Sequence, residues 1–422
     1  MRARSILAAG ILMSTVSALG FRLSALGASP AAQSRGPRAE GPEPPALQVP
    51  RFEVDPLWPK PLPNRWLLGS ATGVGVDGAD HVFVVHLTDS FNARTEIGLA
   101  TNPPTGECCA PAPNVLQFDA AGNLVGHWSP AAGASYRWPE MNAGLAVDPR
   151  GNLWIGGAGG ADTQILVFSR DGKFVAQFGK AQSALGSRLS AVGAAERREP
   201  RAQSRSNSMD TFGGVAGFSF DTKANEAYVA DGFRNHRVAV IDMTTGAIKR
   251  SWGAYGAKPD DAGSAPYDPG APPSKQFSTV RCAELSSDGF VYVCDARNDR
   301  IQVFRKDGTF VKEGHVAPQT LGEGSVWDIA FSSDPRQRYL YVADGMNMKI
   351  HVLDRETLRE LTSFGGGGRQ PGQFYAVHSI ATDSKGNLYT VETYEGKRVQ
   401  KFIYKGLGEP RRSAVPWPEG AQ

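Results

Sequence analysis

Short apolar runs with period-two alternation, each broken by an Asp/Gly turn, recur along this chain and predict antiparallel strands joined by tight turns. Residues 144–179 read GLAVDPRGNLWIGG, a variable stretch, then ILVFSRDGKFVAQFG. Near-copies stand at 282–313 (CAELSSDGFVYVCDARNDRIQVFRKDGTFVKE) and 379–402 (SIATDSKGNLYTVETYEGKRVQKF). Each copy makes one four-stranded antiparallel unit, and a repeat of such units is the signature of a β-propeller.

Six units are marked by the turn that closes the first strand, at 76–86, 147–157, 220–232, 285–295, 331–345 and 382–392. Their spacing is uneven, so the first three units must carry loop insertions. One unit cannot bury both faces of its sheet, so the units must close on each other. The expected fold is therefore all-β: a single six-bladed β-propeller over residues 51–405, with the strand-like RFEVDPLWPK (51–60) completing the last blade and removing an open edge. A basic residue recurs after each later hairpin, at Arg237, Arg300, Lys349 and Arg398. The reading adopted for this row is a long stem covering a strand with its head in water.

Residues 1–28 carry Arg2 and Arg4, an apolar run and then small residues, which is the form of a secretory signal peptide. Pro- and Ala-rich residues 29–50 read as a flexible tether and 406–422 as a C-terminal tail. The protein is expected to be exported, periplasmic or extracellular, and monomeric, with no stable membrane insertion after signal cleavage. The net charge of +3 lies in residues 1–50, where Arg2, Arg4, Arg22, Arg35 and Arg38 face Glu40 and Glu43. The propeller is then neutral, which argues against nucleic acid as a partner. The basic stretch 181–210 lacks aromatics and periodicity and reads as a disordered surface insertion.

Four cysteines in an exported chain point to disulfides. Cys282 and Cys294 flank the Ser287-Asp288 turn symmetrically, so they face each other on adjacent strands within bonding range. Cys108-Cys109 form an adjacent-residue disulfide or remain two thiols. Asp260, Asp261 and Asp268 have the chemistry for calcium but read first as a solvated acidic loop. No cofactor is assigned, with calcium and zinc left as open candidates.

Counting five residues back from each turn gives the inner-strand entries: Thr72, Ala143, Ala216, Arg281, Trp327 and His378. This ring should face the central channel. The repeats resemble NHL repeats, and the propeller resembles peptidyl-α-hydroxyglycine α-amidating lyase, through VADGFRNHRV (229–238), VCDARNDRIQVF (293–304) and FYAVHSIATDSKGNLY (374–389). It resembles more closely a group of exported bacterial propellers carrying the phrases at 55–64, 107–113 and 252–262. The lyase resemblance implies zinc held by three His at alternate entries, where this chain has Ala143, Arg281 and His378. It implies a catalytic Tyr where Phe233 stands, and substrate-handling Arg residues where Leu87 follows His86 and Ala296 follows Asp295. Five of those six positions are substituted.

The expected function is therefore binding: a scaffold taking a small acidic ligand, a peptide or a protein partner through Arg281, His378, Trp327 and Phe233. In that reading the Arg281 guanidinium replaces the metal's charge. The plainer alternative pairs Arg281 with Glu284 or Asp328. The competing class is a metal-dependent lyase or hydrolase with a site rebuilt from His378, His86, Arg281 and Asp295.

Overall fold

The computed structural model describes residues 47–180, 205–261 and 265–410. The expected signal peptide, and most of the tether, basic insertion and tail, lie outside them. Six four-stranded antiparallel sheets follow one another. The inner strands, in order, are Ser70–Val76, Asn142–Val147, Val215–Asp221, Val280–Leu285, Asp328–Phe331 and Val377–Thr382. Each packs against the inner strands before and after it, and the sixth returns to the first, which closes a six-bladed propeller.

Burial follows the layer. The second strands Glu226–Asp231 and Tyr339–Asp344 are buried at every position because a neighbouring blade covers each face. The outer strand Phe174–Phe178 is mostly exposed. Aromatic side chains fill the wedges between blades. Trp154 of the second blade meets Phe218 and Phe220 of the third at ring distances of 5.9 and 5.2 Å. Tight turns are fixed by carboxylates: Asp148 Oδ1 accepts the N–H groups of Arg150 and Asn152, while Gly151 takes the left-handed φ of +85° that the turn requires.

The N-terminal strand Val49–Asp55 pairs with Arg398–Gly408, so the sixth blade joins both ends of the described fold. The boundaries shift accordingly: Val49 and Pro50 belong to strand rather than tether, and the last strand runs on to Gly408. Phe52 anchors the seam against Tyr341 and Phe364 at 5.4 and 5.5 Å. Cys282 and Cys294 are directly opposed, 4.9 Å apart at Cα, and bonded; Cys108 and Cys109 are bonded to each other.

The basic row departs from expectation. Arg237 and Arg300 are buried, and Arg398 is drawn into the same arrangement. In each, an acid ending the second strand lies opposite the Arg starting the third: Asp231 with Arg237, Asp295 with Arg300, Glu392 with Arg398. The Nε–carboxylate distances are 2.8, 2.9 and 2.6 Å. The other N–H groups reach into the loops; Arg237 donates to the carbonyls of Ser206, Ser208 and Thr211, and Arg300 to Gln276 O and the Tyr255 hydroxyl. A guanidinium has five donors and can satisfy acid and loop together, which a solvated head would leave unused. Lys349 cannot do this, and its opposed Asp344 turns to His351 Nε2 at 3.0 Å. The same network orders residues 205–210, so the C-terminal end of the expected disordered insertion is packed structure, with Ser206 fully buried.

Closure by Val49–Asp55 is directly testable. Phe52, Val54 and Trp58 are all buried, and each contributes about 1.5–3 kcal/mol by burial. A chain starting at Pro61 should melt roughly 10 °C or more below one starting at Leu47, as read by calorimetry; equal melting temperatures would refute closure by this strand.

Candidate functional site

The two faces of the ring are unlike. One carries short turns such as 77–81, 148–152 and 383–387. The other, where the inner strands begin, carries long connections such as 88–114, 129–141 and 316–327. Binding residues concentrate in long loops held by a rigid scaffold, which singles out the entry face.

Five inner strands carry a β-bulge at their entry, and the extra residues are Thr72, Ala143, Ala216, Arg281 and His378. A bulge re-aims the side chain it carries. In the fifth blade Trp327 takes this position, its N–H donating to Ala343 O at 3.0 Å. Ala143, Ala216, Arg281, Trp327 and His378, with Phe233, Asp328 and Ser379, line a cavity of about 10 Å³, room for about one water molecule. The structure therefore brings Arg281, His378, Trp327 and Phe233 together around one cavity.

Arg281 dominates the site. It is 8% exposed, with Cζ 4.1 Å from the Trp327 ring centroid and 5.9 Å from that of Phe233. Its ion-pair partner is Glu323, at 3.5 Å from Nη2, rather than Glu284 or Asp328. Nε and Nη1 have no hydrogen-bond partner among the described residues. Burial works against the guanidinium charge, and Glu323 is the chief group supporting it. His378 stands beside it, its ring 5.8 Å from that of Trp327 in an edge contact. Burial, and then the Arg281 charge, push the His378 imidazole down to about 3, so it is neutral at physiological pH. The Trp327 indole N–H donates to Gly324 O at 2.7 Å, which fixes the ring under the guanidinium.

On the opposite side of the ring the channel widens to about 570 Å³, lined by apolar groups such as Val74 and Phe218 and by Asp77, Asp80, Glu284, Asp328 and Asp383, with no Lys or Arg. Asp328 accepts the N–H groups of Ile329 and Ile380 at 2.9 and 3.0 Å, yet burial holds its carboxyl up at about 6. Burial, reinforced by Asp328, raises Glu284 well above the carboxylate range. The channel thus passes from cationic at the entry face to acidic beyond it.

Two candidates are not in the site. His86 is fully buried, with Nδ1 accepting the Gly69 N–H at 3.1 Å and Nε2 bonded to Pro113 O at 2.9 Å. Asp295 is consumed by Arg300, Asn298 and the Ser278 N–H. The rebuilt constellation of His378, His86, Arg281 and Asp295 is therefore not assembled. Zinc does not fit: of the three entries the lyase resemblance implies, one is Ala143 and another a guanidinium stacked on indole, leaving His378 alone. No three His, Cys, Asp or Glu come together for a metal among the described residues. In the acidic loop, Asp261 accepts the Ser206 N–H and Asp268 the Gly270 N–H. Glu323 escapes sequence reading because only tertiary contact brings it to Arg281; the GEG phrase just before an inner-strand entry is its one local mark.

No family model matches the chain. Among solved structures, a catalytically inactive virginiamycin B lyase from Staphylococcus aureus with quinupristin aligns at 12% identity and a TM-score of 0.44, over 85% of this chain and 88% of that one. A streptogramin B lyase structure aligns at 11% identity and a TM-score of 0.44, over 85% and 98%. Likeness at this level transfers no residue role.

The raised carboxyls give a pH signature. A group whose folded-state pKa is raised is best tolerated in acid, and its penalty grows as pH rises through the unfolded value. Glu284→Gln should therefore match wild type at pH 4 and melt about 3 °C above it at pH 8. A difference that is constant with pH, or larger in acid, would remove the buried-charge account of Glu284.

Proposed function

We propose that this chain is an exported ligand-binding propeller whose site is the entry mouth of the channel, where Arg281 recognises the carboxylate of a small acid, a peptide or a protein partner. The observation that carries this reading is a buried guanidinium with two N–H groups unpartnered among the described residues. A buried donor without a partner costs about 1–3 kcal/mol, more when charged. A carboxylate would recover that energy in a two-pronged contact. Trp327 and Phe233 supply apolar walls, and neutral His378 supplies an uncharged nitrogen, Nδ1, that has no partner among the described residues. The likeness to NHL repeats and to the amidating lyase supports descent from a metal-dependent scaffold whose ligands have been replaced. Two disulfides support export, since such bonds persist in oxidising compartments.

Calorimetric titration with a short peptide bearing a free C-terminal carboxylate, and with its C-terminal amide, tests the reading. Wild type should bind the acid and not the amide, and Arg281→Ala should weaken binding tenfold or more, the scale of a lost charged hydrogen bond. Equal binding of acid and amide, or equal affinity in the variant, would overturn it.

A further inference from the structure

The cavity beside Arg281 holds about one water, too little for a carboxylate, so a ligand has to reach the guanidinium from the side where its acid partner Glu323 stands. Its Oε1 accepts from Arg297 Nη2 at 2.6 Å, and its Oε2 lies 3.5 Å from Arg281 Nη2. One carboxylate thus bridges a buried and an exposed arginine: the side chain of Arg281 is 8% exposed, those of Arg297 and Glu323 47% and 38%. The bond to Arg297 is short and the contact to Arg281 long. Glu323 therefore reaches the buried guanidinium incompletely and leaves Nε and Nη1 unused.

The backbone around Glu323 is built to place it there and nowhere more firmly. Gly322 and Gly324 flank it with φ of +75° and +73°, a conformation that glycine adopts without strain. Gly324 is fixed twice over, because a Cβ there would lie 1.8 Å from Ala296 O. From Gly324 onward the segment is anchored: Gly324 O accepts the Trp327 indole N–H, and the Ser325 N–H donates to Asp299 Oδ1 at 2.8 Å. On the other side Leu321 is exposed and Gly322 would meet only the end of the Met346 side chain. Glu323 thus sits between a buried anchored segment and an exposed turn that Thr320 ties to Ala317 O and Asn347.

We infer that Glu323 is a built-in stand-in for the ligand: an incoming carboxylate displaces it, takes the unused N–H groups of Arg281, and is clamped from the solvent side by Arg297. This rests on the reading of the entry mouth as a carboxylate site. The ligand class is narrowed to a carboxylate on a slim, flexible arm, since that is what Glu323 itself presents through this opening. A carboxylate held by two arginines, one of them desolvated, gains charge-assisted bonds that a single exposed arginine does not give.

Titration with sodium acetate at constant ionic strength, followed by Trp327-reporting fluorescence and calorimetry, tests this. Glu323→Gln should tighten acetate binding about tenfold relative to wild type, Glu323→Asp should restore much of the wild-type affinity, and Arg297→Ala should weaken it several-fold. Glu395→Gln, an exposed acid on the same face, measures the general effect of removing one negative charge. If wild type binds acetate through Arg281 but Glu323→Gln binds no tighter than wild type or than Glu395→Gln, the displacement is wrong while the site stands. If no protein binds acetate, Glu323→Gln included, the carboxylate site itself falls.

Discussion

The pairing of Val49–Asp55 with the last strand is the constraint from which the rest of the fold follows. It makes the sixth blade hold both ends of the ring, so six inner strands must converge. Convergence forces small residues where these strands meet: a Cβ on Gly144 would lie 2.4 Å from Ala216 O, and one on Gly73 2.7 Å from Leu145 Cβ. It also forces the entry residues, turned inward by bulges, into a space from which water is nearly excluded. An arginine placed there is largely shielded from solvent, and on the proposed reading its unmet hydrogen bonds are what a ligand would satisfy.

Two other buried arginines of the ring are answered far more completely. Arg237 and Arg300 are buried even more deeply than Arg281, but their donors meet an opposed acid and neighbouring loop oxygens. Removing one member of such a pair typically costs about 3–5 kcal/mol, so these clamps hold the entry-face loops in register. Arg281 differs in one respect: its acid comes from a glycine-flanked loop and reaches it at 3.5 Å. On the proposed reading, the clamped arginines that start third strands are structural, and the half-answered Arg281 at an inner-strand entry is the one left for binding.

Much of this was legible in the sequence, for local reasons. Period-two alternation and Asp/Gly turns are short-range signals, so blade number, strand order, the Cys282–Cys294 pairing and the ring of entry residues could be read directly. The bulge explains why counting back five residues from each turn works: it falls at the same place in five of the six blades. What the sequence hid is non-local. Arg237 and Arg300 looked like solvated stems because their acids, though only a few residues away, had no visible reason to be buried with them. His86 and Asp295 looked chemical because His and Asp often are; the His86 bonds to Gly69 and Pro113 come from tertiary packing, and the Asp295 bond to Arg300 from the cross-strand register. Glu323 was invisible because its partner lies in the preceding blade.

The proposed function turns on the Arg281 guanidinium as a desolvated donor open to a carboxylate. Its Nε–H resonance, identified by its loss in Arg281→Ala and observed in ¹⁵N-labelled protein, reports that state directly. The account predicts a saturable downfield shift of this resonance as acetate is added at constant ionic strength, with slowed rotation of the guanidinium as it becomes held on both sides. A resonance that stays fixed, or drifts linearly without saturation, would contradict it.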